Sequence, residues 1–267
     1  MKLLNGSDLS GFVKERQARQ VRALRQSKRI FPRLAIVSSS DSPVIETYMR
    51  LKQRYGADIL VDVDIHHVDQ AVMPQLIDEL NQNSEIHGII VQLPLADPGQ
   101  TDTIVNSVNP DKDVDGLGSS AKFDPATPVA INWLLAGYNI DLQSKRIAIV
   151  GQGRLVGAPL MRMWANSGYD VTAFDESNQD EMRQALNQYD VIVTATGVPG
   201  LITDDLVKLG AVVVDAGTAS EQGKIVGDVS SDVRKRDDLT ITPEKGGVGP
   251  LTIAALFDNL IRAASES

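Results

Sequence analysis

Three sets of residues in this chain have types and spacings that chemistry can use. The first is a glycine-rich turn, Lys145 to Pro159, reading KRIAIVGQGRLVGAP. Gly151, Gly153 and Gly157 stand between the apolar run Ile147–Val150 and a helical pattern of Leu160, Met161, Met163 and Trp164, so the stretch reads strand, tight turn, helix. Glycine there admits positive φ and lets a phosphate touch a helix N-terminus, although a plain strand-to-helix turn uses the same residues. The second set is Asp175 and Glu176, which close the strand Tyr169–Phe174 where a dinucleotide's adenosine ribose is held by its hydroxyls. Carboxylates at that point repel the extra phosphate of NADP, and Gln152 supplies no cation, so NAD is favoured; otherwise Asp175 is a solvated turn residue. The third is Tyr48 and Lys52, four apart and so on one face of a helix. Desolvation would lower the lysine pKa toward neutrality and let it pass protons; the alternative is an ordinary surface pair.

Two further positions join these. Gln92 stands at the end of the apolar strand His87–Leu93, just before Pro94, where the carboxyl end of a parallel strand faces a crevice, unless it merely caps the loop. Asp113 and Asp115 lie in the polar stretch Asn109–Pro128, which reads as a crossover between domains or a cleft-lining loop, and Asp often forms turns.

The elements that must position these groups alternate. Ser7–Arg29 reads as an amphipathic helix with Leu9, Phe12, Val13, Val21 and Leu24 on its apolar stripe. Strands Arg33–Ser38, Ile59–Ile65 and His87–Leu93 are interleaved with helices ending near Tyr55 and covering Met73–Leu80. After a helix near Val129–Gly137 and the glycine-rich unit come strands Asp190–Ala195, Ala211–Ala216 and Leu239–Ile241, then the amphipathic segment Pro250–Ala264, with Pro250 and Thr252 placed to start it. Strand and helix in alternation imply an α/β fold with parallel sheets, here two lobes of unequal size.

Composition excludes several functions. The formal charge of -9 and pI near 4.8 argue against nucleic acid as a partner. With no cysteine there is no disulfide, thiolate catalysis or Cys-based zinc, and His66, His67 and His87 form no HExxH-type pair, so no catalytic metal is expected. No apolar run approaches a membrane span and the start lacks a signal-peptide core, so the cytoplasm is the default expectation.

Five blocks occur in order: Tyr48-Met-Arg-Leu-Lys52, Val91-Gln-Leu-Pro-Leu95, Asp113-Val-Asp115-Gly116, Gly151–Pro159, and Gly246-Gly-Val-Gly-Pro-Leu-Thr252. Together they resemble the FolD family of bifunctional methylenetetrahydrofolate dehydrogenase/cyclohydrolases over nearly the whole chain. The resemblance implies an α/β fold of two domains, an N-terminal α/β folate-binding domain (1–125 with 250–267) and a Rossmann-type dinucleotide-binding domain (126–249). A cleft between them, a last helix returning to the first domain, a homodimer, and a place in one-carbon metabolism and purine biosynthesis are implied too. It implies oxidation of 5,10-methylenetetrahydrofolate with NAD or NADP and hydrolysis of the methenyl product to 10-formyltetrahydrofolate, tetrahydrofolate being the substrate carrier. Lys52 becomes the proton-transfer group, with Tyr48 bonded to it or stacked on the folate, Gln92 orienting it, and Asp115 holding the pterin. Leu93, Pro94, Gly246, Gly247, Pro250 and Thr252 complete the expected substrate contacts. Gly151, Gln152, Gly153, Arg154, Leu155, Val156 and Gly157, with Asp175, Thr196 and Gly197, are the expected cofactor contacts.

The chain departs from the family pattern in places. Pro125-Ala126-Thr127-Pro128 lacks the usual cysteine, Gly151-Gln152-Gly153 replaces a G-R-S opening, and Lys245 replaces a proline, facing either Glu244 or an anionic substrate. Two alternatives stay open: a related two-lobe oxidoreductase, of amino-acid or shikimate type, and a paralogue that binds folate or nucleotide without turnover.

Overall fold

The computed structural model describes residues 1–221 and 224–267. Chain order is β1 (Lys2–Leu3), α1 (Gly6–Ala23), β2 (Arg33–Ser38), α2 (Pro43–Asp58), β3 (Asp62–His67), α3 (Met73–Gln82), β4 (Gly88–Val91) and α4 (Thr101–Val105). It continues with α5 (Ala126–Gly137), β5 (Arg146–Val150), α6 (Gly157–Asn166), β6 (Asp170–Phe174), α7 (Gln179–Ala185), β7 (Val191–Thr194) and β8 (Val212–Asp215). A short hairpin of β9 (Ala219–Glu221) and β10 (Lys224–Val226) precedes β11 (Thr240–Ile241) and α8 (Val248–Glu266). The chain forms two compact units, Gly11–Ala126 with Ile253–Ser267 and Met1–Ser10 with Thr127–Thr252, the division falling within α1 and α8.

The first unit holds a parallel sheet in the order β3-β2-β4. β2 leads to β3 on one side and β4 lies on the other, so the strand order reverses between β2 and β4, and in open α/β sheets ligands bind at the carboxyl ends of strands at such a switch point. One face, with Ala35, Val37, Ile89 and Val91, is covered by Met73, Ile77 and Leu80 of α3 and by Ile104 and Val105. Elsewhere in this unit the Tyr55 ring stacks on Phe257 at 5.0 Å. Helix α1 buries Gln17, Ala18 and Val21, whereas Phe12, placed on the apolar stripe by its spacing, is 73% exposed. The buried Gln17 is tolerable because it accepts from the Tyr55 hydroxyl (2.8 Å) and donates to the Ala254 carbonyl (2.8 Å).

The second unit holds a parallel six-stranded sheet in the order β1-β11-β8-β7-β5-β6. Its switch point lies between β5 and β7, because β6 adds on one side of β5 and β7 on the other. Ala148, Val150, Ile192, Val213 and Ile241 share a core with Met182, Leu186 and Leu206.

Several boundaries differ from the sequence expectation. Residues 1–10, assigned by sequence to the folate domain, belong to the six-stranded unit: β1 pairs with β11, the Leu4 amide donates to the Ile241 carbonyl, and Leu4 is fully buried. Two strand residues carry too little pattern to be seen in sequence. β3 begins at Asp62 rather than Ile59, since α2 runs to Asp58 and Leu60 turns with φ 65°. α8 starts at Val248, and Thr252 does not cap it: its hydroxyl donates to the Val248 carbonyl within the helix. No helix among the described residues is long and apolar enough to cross a membrane.

Candidate active site

In the three-stranded unit, four of the chemistry-bearing residues converge at the carboxyl ends of β2 and β4. Pro43 opens α2 with its fixed φ, and Tyr48 and Lys52 follow on one face a turn apart. Gln92 leaves β4 with its amide donating to the Val37 carbonyl (2.8 Å), while its side-chain Nε2 donates to the Leu93 carbonyl (3.0 Å). Those two bonds fix the side chain, so Oε1 faces α2, where the Lys52 ammonium donates to it at 2.9 Å. Leu93 and Pro94 follow across a cis peptide bond.

Burial of the Lys52 ammonium lowers its pKa from the ordinary lysine value, and the nearby Asp115 carboxylate opposes that shift. Asp115 is itself raised, first by burial and then by Asp113, with Lys52 pulling the other way. The two acids of this loop divide their tasks. Asp113, 4% exposed, accepts from the amides of Gly116 (3.0 Å) and Gly118 (2.7 Å) and so builds the turn, at the centre of which Gly116 has φ 70°. Asp115 is left to act on Lys52. The Tyr48 hydroxyl makes no hydrogen bond among the described residues, to Lys52 or otherwise, and burial raises its pKa. The bonded arrangement of Tyr48 and Lys52, one of the two that the resemblance allows, is therefore not formed here.

In the six-stranded unit the register does the positioning. Val150 pairs with Phe174 on one side and Thr194 on the other, so Gly151, Asp175 and Ala195 line the same carboxyl edge. Gly151 has φ 97°, and a Cβ there would lie 2.6 Å from the Ala195 carbonyl oxygen. A Cβ on Gly157 would lie 1.7 Å from the Gly151 carbonyl oxygen. Those two glycines are demanded by the turn itself. Gly153 is not: a Cβ there meets nothing within 4 Å, which leaves open space beside the start of α6. Gln152 folds back, its Nε2 donating to the Gly151 carbonyl (3.1 Å), and Arg154 and Leu155 are exposed, with Val156 leading into the helix.

Asp175 is exposed and caps the turn after β6, its Oδ1 accepting from the Ser177 amide (2.8 Å) and hydroxyl (2.5 Å). Those bonds hold its pKa below the usual carboxylate value. Thr196 and Gly197 form the turn after β7, with Gly197 at φ 70° and the Thr196 hydroxyl accepting from the Val198 amide (3.1 Å).

Gly246, Gly247, Pro250 and Thr252 also belong to the six-stranded unit. A Cβ on Gly6 would lie 1.9 Å from the Gly247 carbonyl oxygen, and the Ser7 amide donates to the Gly246 carbonyl (3.0 Å). Lys245 and Glu244 are exposed. The buttressing Asn5–Ser7 segment was not legible from sequence, nor was the acid pair Asp215 and Asp228, whose one signal is that each lies at a strand end or beside a glycine.

Comparison with known proteins agrees with this two-part arrangement. The family profile described as tetrahydrofolate dehydrogenase/cyclohydrolase, catalytic domain, matches residues 4–115, and the one described as the NAD(P)-binding domain matches residues 125–267. The bifunctional protein FolD of Campylobacter jejuni is 36% identical over 281 residues, covering 100% of this chain and 99% of that one. The crystal structure of the bifunctional FolD enzyme from the same organism superposes with a TM-score of 0.92 at 36% identity, again over 100% and 99% of the two chains. A Trypanosoma brucei methylenetetrahydrofolate dehydrogenase-cyclohydrolase, solved with NADP and an inhibitor, is 27% identical with a TM-score of 0.92, covering 99% of this chain and 97% of its own. With both profiles matched and a relative of this identity aligned end to end, the chain belongs to the tetrahydrofolate dehydrogenase/cyclohydrolase family.

Proposed function

We propose that this protein oxidises 5,10-methylenetetrahydrofolate to the methenyl compound with NAD(P)+ and hydrolyses that product to 10-formyltetrahydrofolate. The observation that carries the reading is the desolvated Lys52 ammonium, held by Gln92 at 2.9 Å and under the influence of Asp115. A bound nicotinamide dinucleotide supplies the hydride acceptor. The chain's part in that step is to hold and orient, through the Gly151–Gly157 turn, the room beside Gly153, and the Thr196–Gly197 turn.

Hydrolysis asks more of the side chains. Water adds to the methenyl carbon and loses a proton, leaving a hydroxyl there; the bond from that carbon to N5 then breaks as N5 takes up a proton and the hydroxyl gives up its own to become the formyl oxygen, one proton being released overall. A lysine whose pKa is brought down toward the working pH serves both transfers, as amine on the first and ammonium on the second. Gln92 sets the direction of its Nζ. Asp115 holds the pterin ring's donors, with Tyr48, Leu93 and Pro94 packing the folate.

NAD is the preferred dinucleotide in this reading, because Asp175 presents a carboxylate where the phosphate of NADP would need a cation. The NADP found in the T. brucei relative belongs to that protein. A homodimer in the cytoplasm, contributing to purine biosynthesis, is part of the same reading on family membership. The test is one assay: purified protein with methylenetetrahydrofolate and either NAD or NADP, following methenyl absorbance and reduced cofactor. Absence of both signals with either dinucleotide would sink the proposal.

A further inference from the structure

The ends of β7, β8 and β11 are joined by a buried polar network that no step above uses. Asp228 is fully buried, and its Oδ2 accepts from the Thr194 hydroxyl (2.6 Å) and the Thr196 amide (2.7 Å). Its Oδ1 is equally buried and has no hydrogen-bond partner among the described residues. Asp215, at the end of β8, accepts from the amides of Gly217, Asp228 and Val229 (3.1 Å each) and from the Arg234 guanidinium, which also donates to the Thr242 carbonyl (3.0 Å). Two glycines interlock the acids. A Cβ on Gly217 would lie 2.0 Å from Asp228 Oδ1, and one on Gly227 would lie 2.1 Å from Asp215 Oδ2.

Arg234 pairs with Asp215, whereas the side chain of Asp228 is held, among the described residues, by the Thr194 hydroxyl and the Thr196 amide. A buried acid whose Oδ2 takes a side-chain donor and a backbone donor from one turn restrains the path of that turn. Both donors to Asp228 flank Ala195, whose carbonyl is the nearest neighbour a Cβ on Gly151 would meet. The acid therefore fixes the turn that lies directly against the glycine loop.

We infer that Asp228 is a positioning residue for the dinucleotide: its buried carboxylate sets the Thr194–Gly197 turn against Gly151 in the shape that the bound cofactor requires. The inference rests on the proposed dinucleotide site and adds to it a residue that does not itself line the edge.

The experiment measures dinucleotide affinity directly, by calorimetry with NAD and with NADP, beside dinucleotide-free hydrolysis of methenyltetrahydrofolate. Losing two buried hydrogen bonds to that turn, Asp228→Ala should weaken the preferred dinucleotide by at least about tenfold. Hydrolysis, whose groups lie in the other unit, should stay within about twofold. Asp228→Asn keeps an acceptor for Thr194 and Thr196 and should recover most of the affinity. If Asp228→Ala does not fold, Thr194→Val, which removes one of the two donors, should still weaken binding severalfold. Unchanged affinity in the folded variants overturns the inference, as does a parallel loss of binding and hydrolysis with no recovery in Asp228→Asn. Failure of the unmodified protein to bind either dinucleotide overturns the proposed function along with it.

Discussion

Lys52 shows what a single residue can and cannot reveal. Its spacing from Tyr48 places both on one helical face, but the partner that orients it, Gln92, lies 40 residues away in sequence. Lys52→Ala should abolish methenyl hydrolysis while leaving dinucleotide affinity nearly intact; hydrolysis at the original rate would remove the lysine from the mechanism. The sign of the charge coupling gives a second test. Asp115 raises the Lys52 pKa against desolvation, so Asp115→Asn should let that pKa fall further and move the lysine inflection of the hydrolysis pH profile to lower pH. An inflection that stays put or rises would contradict the coupling. Asp175→Ala should weaken NAD and relax discrimination against NADP, read from the two dissociation constants; tighter NADP than NAD binding in the unmodified protein would show the ribose assignment to be wrong.

Among the elements, the glycine-rich turn was the most legible, because a strand, a run of glycines and a helix follow one another with no long-range information needed. What the spacing left unsorted is the division of labour among the glycines. Gly157 is required by the turn, a Cβ there lying 1.7 Å from the Gly151 carbonyl oxygen, whereas Gly153 borders open space. Gly157→Ala should therefore lower the melting temperature by several degrees and cost dinucleotide binding together. Gly153→Ala should leave melting unchanged or raise it slightly, by about 0.4–1 kcal/mol of stability, and still weaken the dinucleotide. Melting curves with and without NAD distinguish the two patterns, and equal behaviour of the variants would refute the distinction. The strand ends were less legible than the strands: β4 stops at Val91, releasing Gln92 toward Lys52, and no residue-type signal marks that point.

At the scale of the whole molecule the first ten residues are the instructive case. Leu4 is fully buried and its amide bonds to Ile241, more than two hundred residues along the chain. Leu4→Ala should cost about 2–5 kcal/mol and lower the calorimetric transition of the six-stranded unit; an unmoved midpoint would mean that β1 is not part of its stable sheet. The amino-acid sequence by itself determined what acts within a turn or a strand: alternating strands and helices, the glycine turn, the shared face of Tyr48 and Lys52, and the acid after β6. Periodicity and φ preferences are local, so these could be read directly, and the five blocks in order carried the family. Only the tertiary structure decided that Gln92 reaches Lys52, that Asp113 builds the turn which frees Asp115, that β1 joins β11, and that Asp228 braces the turn beside Gly151. Apart from the Asp113 turn, whose acid bonds to amides three and five residues on, each of these pairs residues far apart in the chain, and such pairings are set by loop closure and by how whole layers pack rather than by the residues' own preferences.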